Sequence, residues 1–448
     1  MVNSIKRLIL VELNEVNFNI VQCYVDRNPI KFNNLAKLLS SEKRRTYSEY
    51  DYNNLEPWIQ WASVHTCKTY EDHKIFRLGD VVNSQCEQIF EKIEKAGFKV
   101  GSISAMNADN RLRSPAYFIP DPWTKTSSDG SFWSKNLTAA ISQSVNDNSQ
   151  AKITLKSYFI IIIAMIRFCR LRHFFKYASL IISSKRKPWR KALVLDLLLH
   201  DIHLKMFNSK EPNFSTLFLN ACAHIQHHYL FNSKAISSFV ELKNPDWYLD
   251  KDDDPLEDVL ELYNLIIGEL FSCVDSEVVV ATGLSQVPYD RIKFYYRLKN
   301  HSAFLTSLGI KFLSVLPRMT RDFLIEFKDE TLAADAEIIL KNILVINSTE
   351  PLFGLIDNRG SSLFVTLTYS CEITELTYIN VNNIKLFLLP QVSFVAIKNG
   401  MHSGEGFAFF SNGVSSFIPT NALHVAELGN IILNFFHSQL LPDEIIKN

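Results

Sequence analysis

The chain has 448 residues, 47% of them apolar, and its 47 basic and 47 acidic side chains leave no net charge. That is ample for a large buried core, arranged as two or three domains or as one large α/β domain with an insertion. Seven scattered cysteines without a CxxC pair, no secretory leader and no uninterrupted apolar run of spanning length point to a reducing, cytoplasmic setting, without a disulfide framework or a spanning helix.

The first element is the buried run KRLILVEL, residues 6–13, expected as a strand. Asn14 to Val25 follows as a turn into a helix whose apolar face is Phe18, Ile20, Val21 and Val25. In residues 55–79, Pro57 is suited to a helix N-terminus, where free N–H groups attract anions. Ser63, His65 and Thr66 are the hydroxyl and imidazole groups nearby, with Trp58, Trp61 and Val64 available for ordinary helix packing. Residues 84–97 read as a helix, Phe98–Ser104 as a strand and 105–135 as a long loop, in which Asp121 and Asp129 either face a substrate or serve as turn residues.

Residues 148–195 differ from the rest. They hold eleven Lys or Arg and no Asp or Glu, which leaves 36 basic against 47 acidic side chains elsewhere. The runs YFIIIIAMI (158–166) and FFKYASLII (174–182) lie within this basic stretch, a composition suited to helices resting on an anionic membrane surface. The alternatives are a helical hairpin packed on the core with its charges in water, and a nucleic-acid surface, for which the segment has no interleaved aromatic platform, so no nucleic-acid partner is expected. The helical stretch 192–206 then puts Asp196, His200 and His203 on one face, a candidate metal set or a plain solvated face.

The run Phe214–Asn220 reads as a buried strand leading into AHIQHHY, residues 223–229, which places His224, His227 and His228 within five positions. In open α/β sheets, ligands sit at the carboxyl ends of strands. Further on come an acidic loop ending in LDKDDDP and an amphipathic helix over 256–273. Strands follow at Ser276–Thr282, at 310–315 and at Ser393–Lys398, with a helical stretch at 303–308 and helix-to-strand alternation over 335–347 and 362–369. Residues 399–410, NGMHSGEGFAFF, are expected as a glycine-containing loop carrying His402 and Glu405, before a last helix at about 421–437.

Strands ending at 13, 104, 220, 282 and 398 with helices between them describe an α/β fold, a mostly parallel central sheet sandwiched by helices. Residues 1–147 and 211–448 supply its two parts, and 148–210 is a basic helical insertion or cap. The suggestive polar groups all follow strand ends. In that order the chain resembles the alkaline phosphatase superfamily, in particular its type I phosphodiesterase and nucleotide pyrophosphatase branch. The resemblance rests on LILVELNEVNF (8–18), PWIQWASVHTCK (57–68) with His73 following, FLNACAHIQHHY (218–229), VVVATGLSQ (278–286) and MHSGEG (401–406).

The resemblance implies hydrolysis or transfer at a phosphate or sulfate ester, usually assisted by two zinc-type ions. Carried over position by position, the family's first aspartate falls on Asn14, with Glu12 two residues earlier as a substitute. The nucleophile position falls near Pro57, leaving Ser63 as a displaced candidate. The next aspartate falls on Ala223, while His227 is kept. The aspartate–histidine pair falls on Thr282 and Gly283, and His402 is kept. Three carboxylates and one histidine of a two-metal site are thus missing, so a two-metal hydrolase is not expected.

Three readings follow. In the first, His224, His227 and His402 with Glu12 or Glu405 form either a one-metal site for zinc or manganese, held by His227 and His402, or a metal-free acid–base site. Asn14, Trp58, Gln60, His65, Thr66, Gln226, Ser285, Gln286 and Glu405 would then line the substrate. That substrate is a phosphate-bearing molecule: a phosphodiester, a nucleotide sugar or a lipid-linked glycan, with a setting in bacterial surface-polysaccharide assembly at the inner face of the membrane. In the second, a zinc hydrolase survives through substitute ligands from the Asp196, His200 and His203 face. In the third, the chain has lost catalysis and binds a glycan, a membrane or a partner protein.

Overall fold

The structure is a computed structural model that describes residues 5–146, 154–237, 241–318, 321–346, 348, 350–381 and 384–440. Its frame is an eight-stranded sheet. In spatial order the strands are Leu423–His424, Glu42–Tyr47, Glu405–Phe410, Ser276–Ala281, Arg7–Leu13, Phe214–Leu219, Val100–Ile103 and Tyr117–Ile119. All neighbouring pairs are parallel except the two made by Glu405–Phe410. The expected α/β class, a mostly parallel sheet between helices, is what forms.

Arg7–Leu13 lies at the centre because it is apolar on both faces. Leu8 to Leu13 are all buried, with Phe214–Leu219 on one side and Ser276–Ala281 on the other, as expected of a parallel strand covered on both faces. One helical layer is led by Phe18–Arg27 and Pro255–Leu270, which pack with Val11, Leu217 and Val280. The other holds Pro57–Thr66, Ile89–Lys95 and Glu427–Ser438 against Leu8, Leu10 and Phe214.

The region after Ala281 departs from the sequence expectations. Ser285–Leu298 is a long strand that pairs antiparallel with Val392–Ser403. A four-stranded antiparallel sheet, Leu355–Asn358, Ser362–Thr366, Asp322–Glu326 and Ser314–Pro317, forms a second lobe with its own apolar core. The strand expected at 310–315 begins only at Ser314. The expected loop 399–410 is instead almost entirely strand, broken only at Gly404. Backbone pairing to residues more than a hundred positions away decides this, and no local pattern encodes it. Within the expected loop 105–135, Tyr117–Ile119 is an edge strand and a helix begins at Phe132.

The basic stretch is helical: Leu155–Phe168, Phe174–Ser183 and Arg190–Lys210. Of the eleven basic residues, Lys152 lies outside the described residues. The last helix is no loose appendage. Its Leu197, Leu199, His200, Asp201, Ile202 and His203 are all buried, so the insertion is built into the core along this helix. Among the described residues, no helix is long and apolar enough to cross a membrane.

Candidate functional site

The site forms where three parallel strands end together. After Leu13 the chain turns through Asn14 and Glu15. Glu15 takes a left-handed backbone conformation, φ 59°, which costs a residue with a side chain about 1–3 kcal/mol and persists only where the surroundings enforce it. The enforcement is visible. The Glu15 N–H donates to the Thr282 carbonyl at 3.1 Å, its own carbonyl accepts from Gln226 Nε2 at 2.7 Å, and Asn14 Nδ2 donates to its Oε1 at 2.9 Å. Asn14 is fixed in turn by Asn220, at 2.8 Å, and by the Trp61 indole, at 2.9 Å.

The turn delivers the Glu15 carboxylate to two imidazoles. Its Oε2 lies 3.0 Å from His227 Nε2 and 3.1 Å from His402 Nε2, and it accepts from Gln286 Nε2 at 2.5 Å. His227 comes from the helix Ala221–Tyr229, which starts where Phe214–Leu219 ends. That start is capped by Asp196, whose carboxylate accepts from the Ala221 N–H at 2.9 Å and the Asn220 N–H at 3.3 Å. His402 stands on Val392–Ser403, opposite Gln286 in register.

Hydrogen-bond direction sets the chemistry. His227 Nδ1 faces the Gly400 carbonyl at 3.1 Å and must donate to it, which leaves Nε2 as the ring's free position, aimed at Glu15. His402 Nε2 is buried with no hydrogen-bond partner of good geometry, and Gln286 Oε1 is likewise orphaned. The Glu15, His227 and His402 ligand atoms all lie within 4.8 Å of one another. Two imidazoles and one carboxylate suit a single zinc-type ion. A tetrahedral shell with bonds of about 2.0–2.1 Å has edges of about 3.3 Å, close to the separations seen here. The donor set therefore fits one dication. Zinc and manganese both accept such ligands.

The charges around it are coupled. Burial alone would raise the Glu15 carboxyl, but His402 and His227 overrule it and hold Glu15 well below the usual range. His402 is raised, since Glu15 outweighs burial, whereas burial and Lys398 lower His227. Glu56, the residue before Pro57 at the start of the helix Pro57–Thr66, places Oε2 3.7 Å from His402 Nδ1. Burial, with Glu15 adding to it, pushes Glu56 up to about 7. Lys398 interacts with Glu15 and Glu56, and burial lowers it to about 8. Its ammonium and the Arg321 guanidinium both sit on the Tyr295 ring, at 5.8 and 3.7 Å from its centroid. Among the described residues, the Lys398 ammonium enters no ion pair within bonding distance.

The structure brings together only some of the residues singled out from sequence. His227, His402, Asn14, Gln226 and Gln286 meet around Glu15. Glu12, offered as the carboxylate, instead points into the sheet's interior and pairs with the fully buried His65 at 3.0 Å. The strand's two-residue alternation sends it to the face opposite its neighbours. Glu405 lies at the surface against Arg45, at 2.6 Å. His224 is exposed and its ring packs on His228.

Ser63 is buried in mid-helix, where its hydroxyl donates to the Ile59 carbonyl and meets His73 Nε2 at 3.0 Å. His73 Nδ1 already accepts from the Ile75 N–H, so Nε2 carries the ring proton and cannot deprotonate Ser63. Thr66 bonds the Ala62 carbonyl, Gln60 the Asn54 carbonyl and Trp58 the Phe76 carbonyl. Ser285 is buried opposite Ser403.

Asp121 and Asp129 accept from local N–H groups, as turn residues do. The Asp196, His200 and His203 face faces inward rather than to solvent, and its members serve three separate partners. Asp196 caps the Ala221 helix, His200 bonds Glu269 and His203 bonds Ser215, so this face supplies no substitute ligands. Glu15, Glu56, Lys398 and Arg321 were not singled out from sequence. Glu15 alone left a trace, as an acid between asparagines immediately after the most apolar strand.

No protein-family model and no curated protein sequence matches this chain. Solved structures do resemble it over nearly the whole length. A phosphonoacetate hydrolase from Sinorhizobium meliloti 1021, in complex with phosphonoformate, is 12% identical over 98% of both chains with a TM-score of 0.44. Human ectonucleotide pyrophosphatase/phosphodiesterase 5 is 8% identical over 96% of this chain and 95% of its own, with a TM-score of 0.43. A wild-type alkaline phosphatase, PafA, is 10% identical over 97% of both chains, again at 0.43. The likeness is distant, and the functional reading rests on this chain's own side chains.

Proposed function

We infer that this chain is an enzyme acting on a phosphate-bearing substrate, with one dication held by Glu15, His227 and His402. The observation that carries the reading is the convergence of those three ligand atoms at the strand ends, beside a lysine with no ion-pair partner among the described residues. A bound dication would supply Lewis acidity to a phosphoryl oxygen. The chain's own groups would do the rest. Lys398 and Arg321, both on Tyr295, would hold the anionic oxygens. Glu56, poised near neutrality, would take the proton of the attacking hydroxyl as its oxygen bonds to phosphorus and the ester bond on the far side breaks. The Gly400 carbonyl would fix the His227 tautomer, and Gln286 would hold Glu15 in place.

Where the attacking hydroxyl is water, the reaction is hydrolysis. Where it belongs to a sugar or lipid, it is group transfer. The basic helices favour a donor carried at a membrane, such as a lipid-linked or nucleotide-activated glycan of the kind used in bacterial surface-polysaccharide assembly. The test is elemental analysis of the purified chain and of His227→Ala, with turnover of bis-p-nitrophenyl phosphate measured alongside. The expected result is about one zinc or manganese per wild-type chain, lost together with turnover in the variant. No bound metal in the wild type after incubation with excess zinc or manganese would overturn the one-metal reading. Turnover that persists without metal would move the chemistry to Glu56 and His402 as an acid–base pair.

A further inference from the structure

The helices Leu155–Phe168 and Phe174–Ser183 each bury a narrow inner stripe. In the first it is Ser157, Ala164 and Phe168, with Phe168 against Trp133 at 5.3 Å, and in the second Tyr177 and Leu180. Their outer faces are not polar, as a surface helix's should be. Phe159, Ile166, Leu171, Phe174, Phe175 and Ile182 all stand out in solvent, Leu171 at 94%, Phe175 at 81% and Ile182 at 78% exposure. Large apolar side chains exposed in this number on one short segment mark a contact surface.

The cations of the same segment fall into two groups. Arg170 and Arg172 are committed to Glu269, Lys187 to Asp253 and Arg190 to Asp258. Lys156, Arg167, Lys176, Lys185, Arg186 and Lys191 enter no ion pair among the described residues, and residues 148–195 contain no acid at all. The committed group pins the helices to the core, so the outer face is presented preformed. The free group shares its segment with the exposed aromatic and aliphatic side chains and adds uncompensated positive charge to it.

We propose that this face docks on an anionic lipid bilayer, with Phe159, Ile166, Leu171, Phe174, Phe175 and Ile182 entering the headgroup–acyl boundary and the free cations meeting lipid phosphates. No described helix can cross a membrane, so the two helices lie in the interface plane. Charge complementarity selects the occupant. A segment that exposes large apolar side chains, carries unpaired cations and contains no acid matches an anionic leaflet, and each cation near such a leaflet strengthens binding about fivefold. The proposal does not depend on the reading of the Glu15 site.

The experiment is flotation of the full chain with vesicles of phosphatidylcholine alone or mixed with phosphatidylglycerol, at low and high salt. Two variants are compared, Lys176→Glu/Lys185→Glu/Arg186→Glu and Phe159→Gln/Phe175→Gln/Ile182→Gln. Unchanged thermal melts confirm that the variants fold. The wild type should float with the anionic vesicles, and far less with neutral ones or at high salt. The charge variant should weaken binding by about 100-fold or more, and the apolar variant by about tenfold or more. Equal binding to neutral and anionic vesicles, or anionic binding that neither variant changes, overturns the proposal. So does a wild type that ignores vesicles but dimerises through the face altered in the apolar variant, since a second copy would then be its occupant.

Discussion

Two clusters in this molecule use the same side chains to opposite ends. Around Glu15, a carboxylate faces the Nε2 atoms of His227 and His402. Beneath the basic helices, His173 Nδ1 bonds Asp201 at 2.8 Å and its Nε2 bonds Glu269 at 2.9 Å, while His200 Nε2 bonds Glu269 at 2.7 Å. Either group could be taken for a metal site on residue types and spacing alone. The difference lies in where the protons must be.

His173 has a carboxylate at each ring nitrogen, so both nitrogens donate and the ring is a cation. Asp201 and Glu269 push it up to about 9 against the pull of burial. Arg170 and Arg172 close the remaining side of Glu269. That cluster is satisfied and acts as a lock. His227 instead spends one nitrogen on a backbone carbonyl and aims the other at Glu15, and His402 Nε2 meets the same carboxylate at 3.1 Å without a well-formed hydrogen bond. On the proposed reading, an ion closes the first set. A set closed by protons and guanidinium groups is structure.

The largest expected effect separates the two directly. Glu15→Gln keeps the shape and removes the anionic ligand. Metal affinity should drop at least about 100-fold, and bis-p-nitrophenyl phosphate turnover should fall with it, with little change in thermal stability. A variant that keeps its metal would break the distinction. Glu269→Gln should do the reverse. It strands the charges of His173, Arg170 and Arg172 at the edge of the core and should cost about 3–5 kcal/mol in denaturant unfolding, with metal content unchanged.

The lock should also respond to pH. The folded-state value of His173, about 9, lies above the roughly 6.5 of an unfolded imidazole. Its contribution is therefore complete below about 6.5 and is lost as pH rises through about 9. Melting temperature should decline over that window in the wild type and less steeply in His173→Gln. Equal slopes would show that the ring is not the charged group. At the site, Lys398→Met should raise KM for an anionic substrate by about tenfold, the loss of one charge-assisted contact, with kcat nearly constant. An unchanged KM would remove Lys398 from substrate binding. The smallest effect is expected of Ser63→Ala, about 1 kcal/mol of stability for the His73 hydrogen bond, with unaltered turnover. A collapse in turnover would restore Ser63 as nucleophile.

The sequence by itself determined the frame. Runs such as Leu8–Leu13 and Val278–Ala281 have a single satisfactory environment, a strand covered on both faces, and polar residues that follow such runs must emerge at the strand ends. The placement of His227 and His402 near strand ends was legible for that reason, as was the unusual character of residues 148–195. What only the tertiary structure decided was orientation and pairing. Glu12 and Glu15 stand three residues apart, and strand alternation together with a left-handed turn sends one to His65 and the other to the two imidazoles. The free Lys176 and the committed Arg172 look alike in the sequence. Glu269, nearly a hundred positions further on, separates them, because an ion pair depends on where a strand or helix returns in space, and that is fixed by the burial of the whole core rather than by any local pattern.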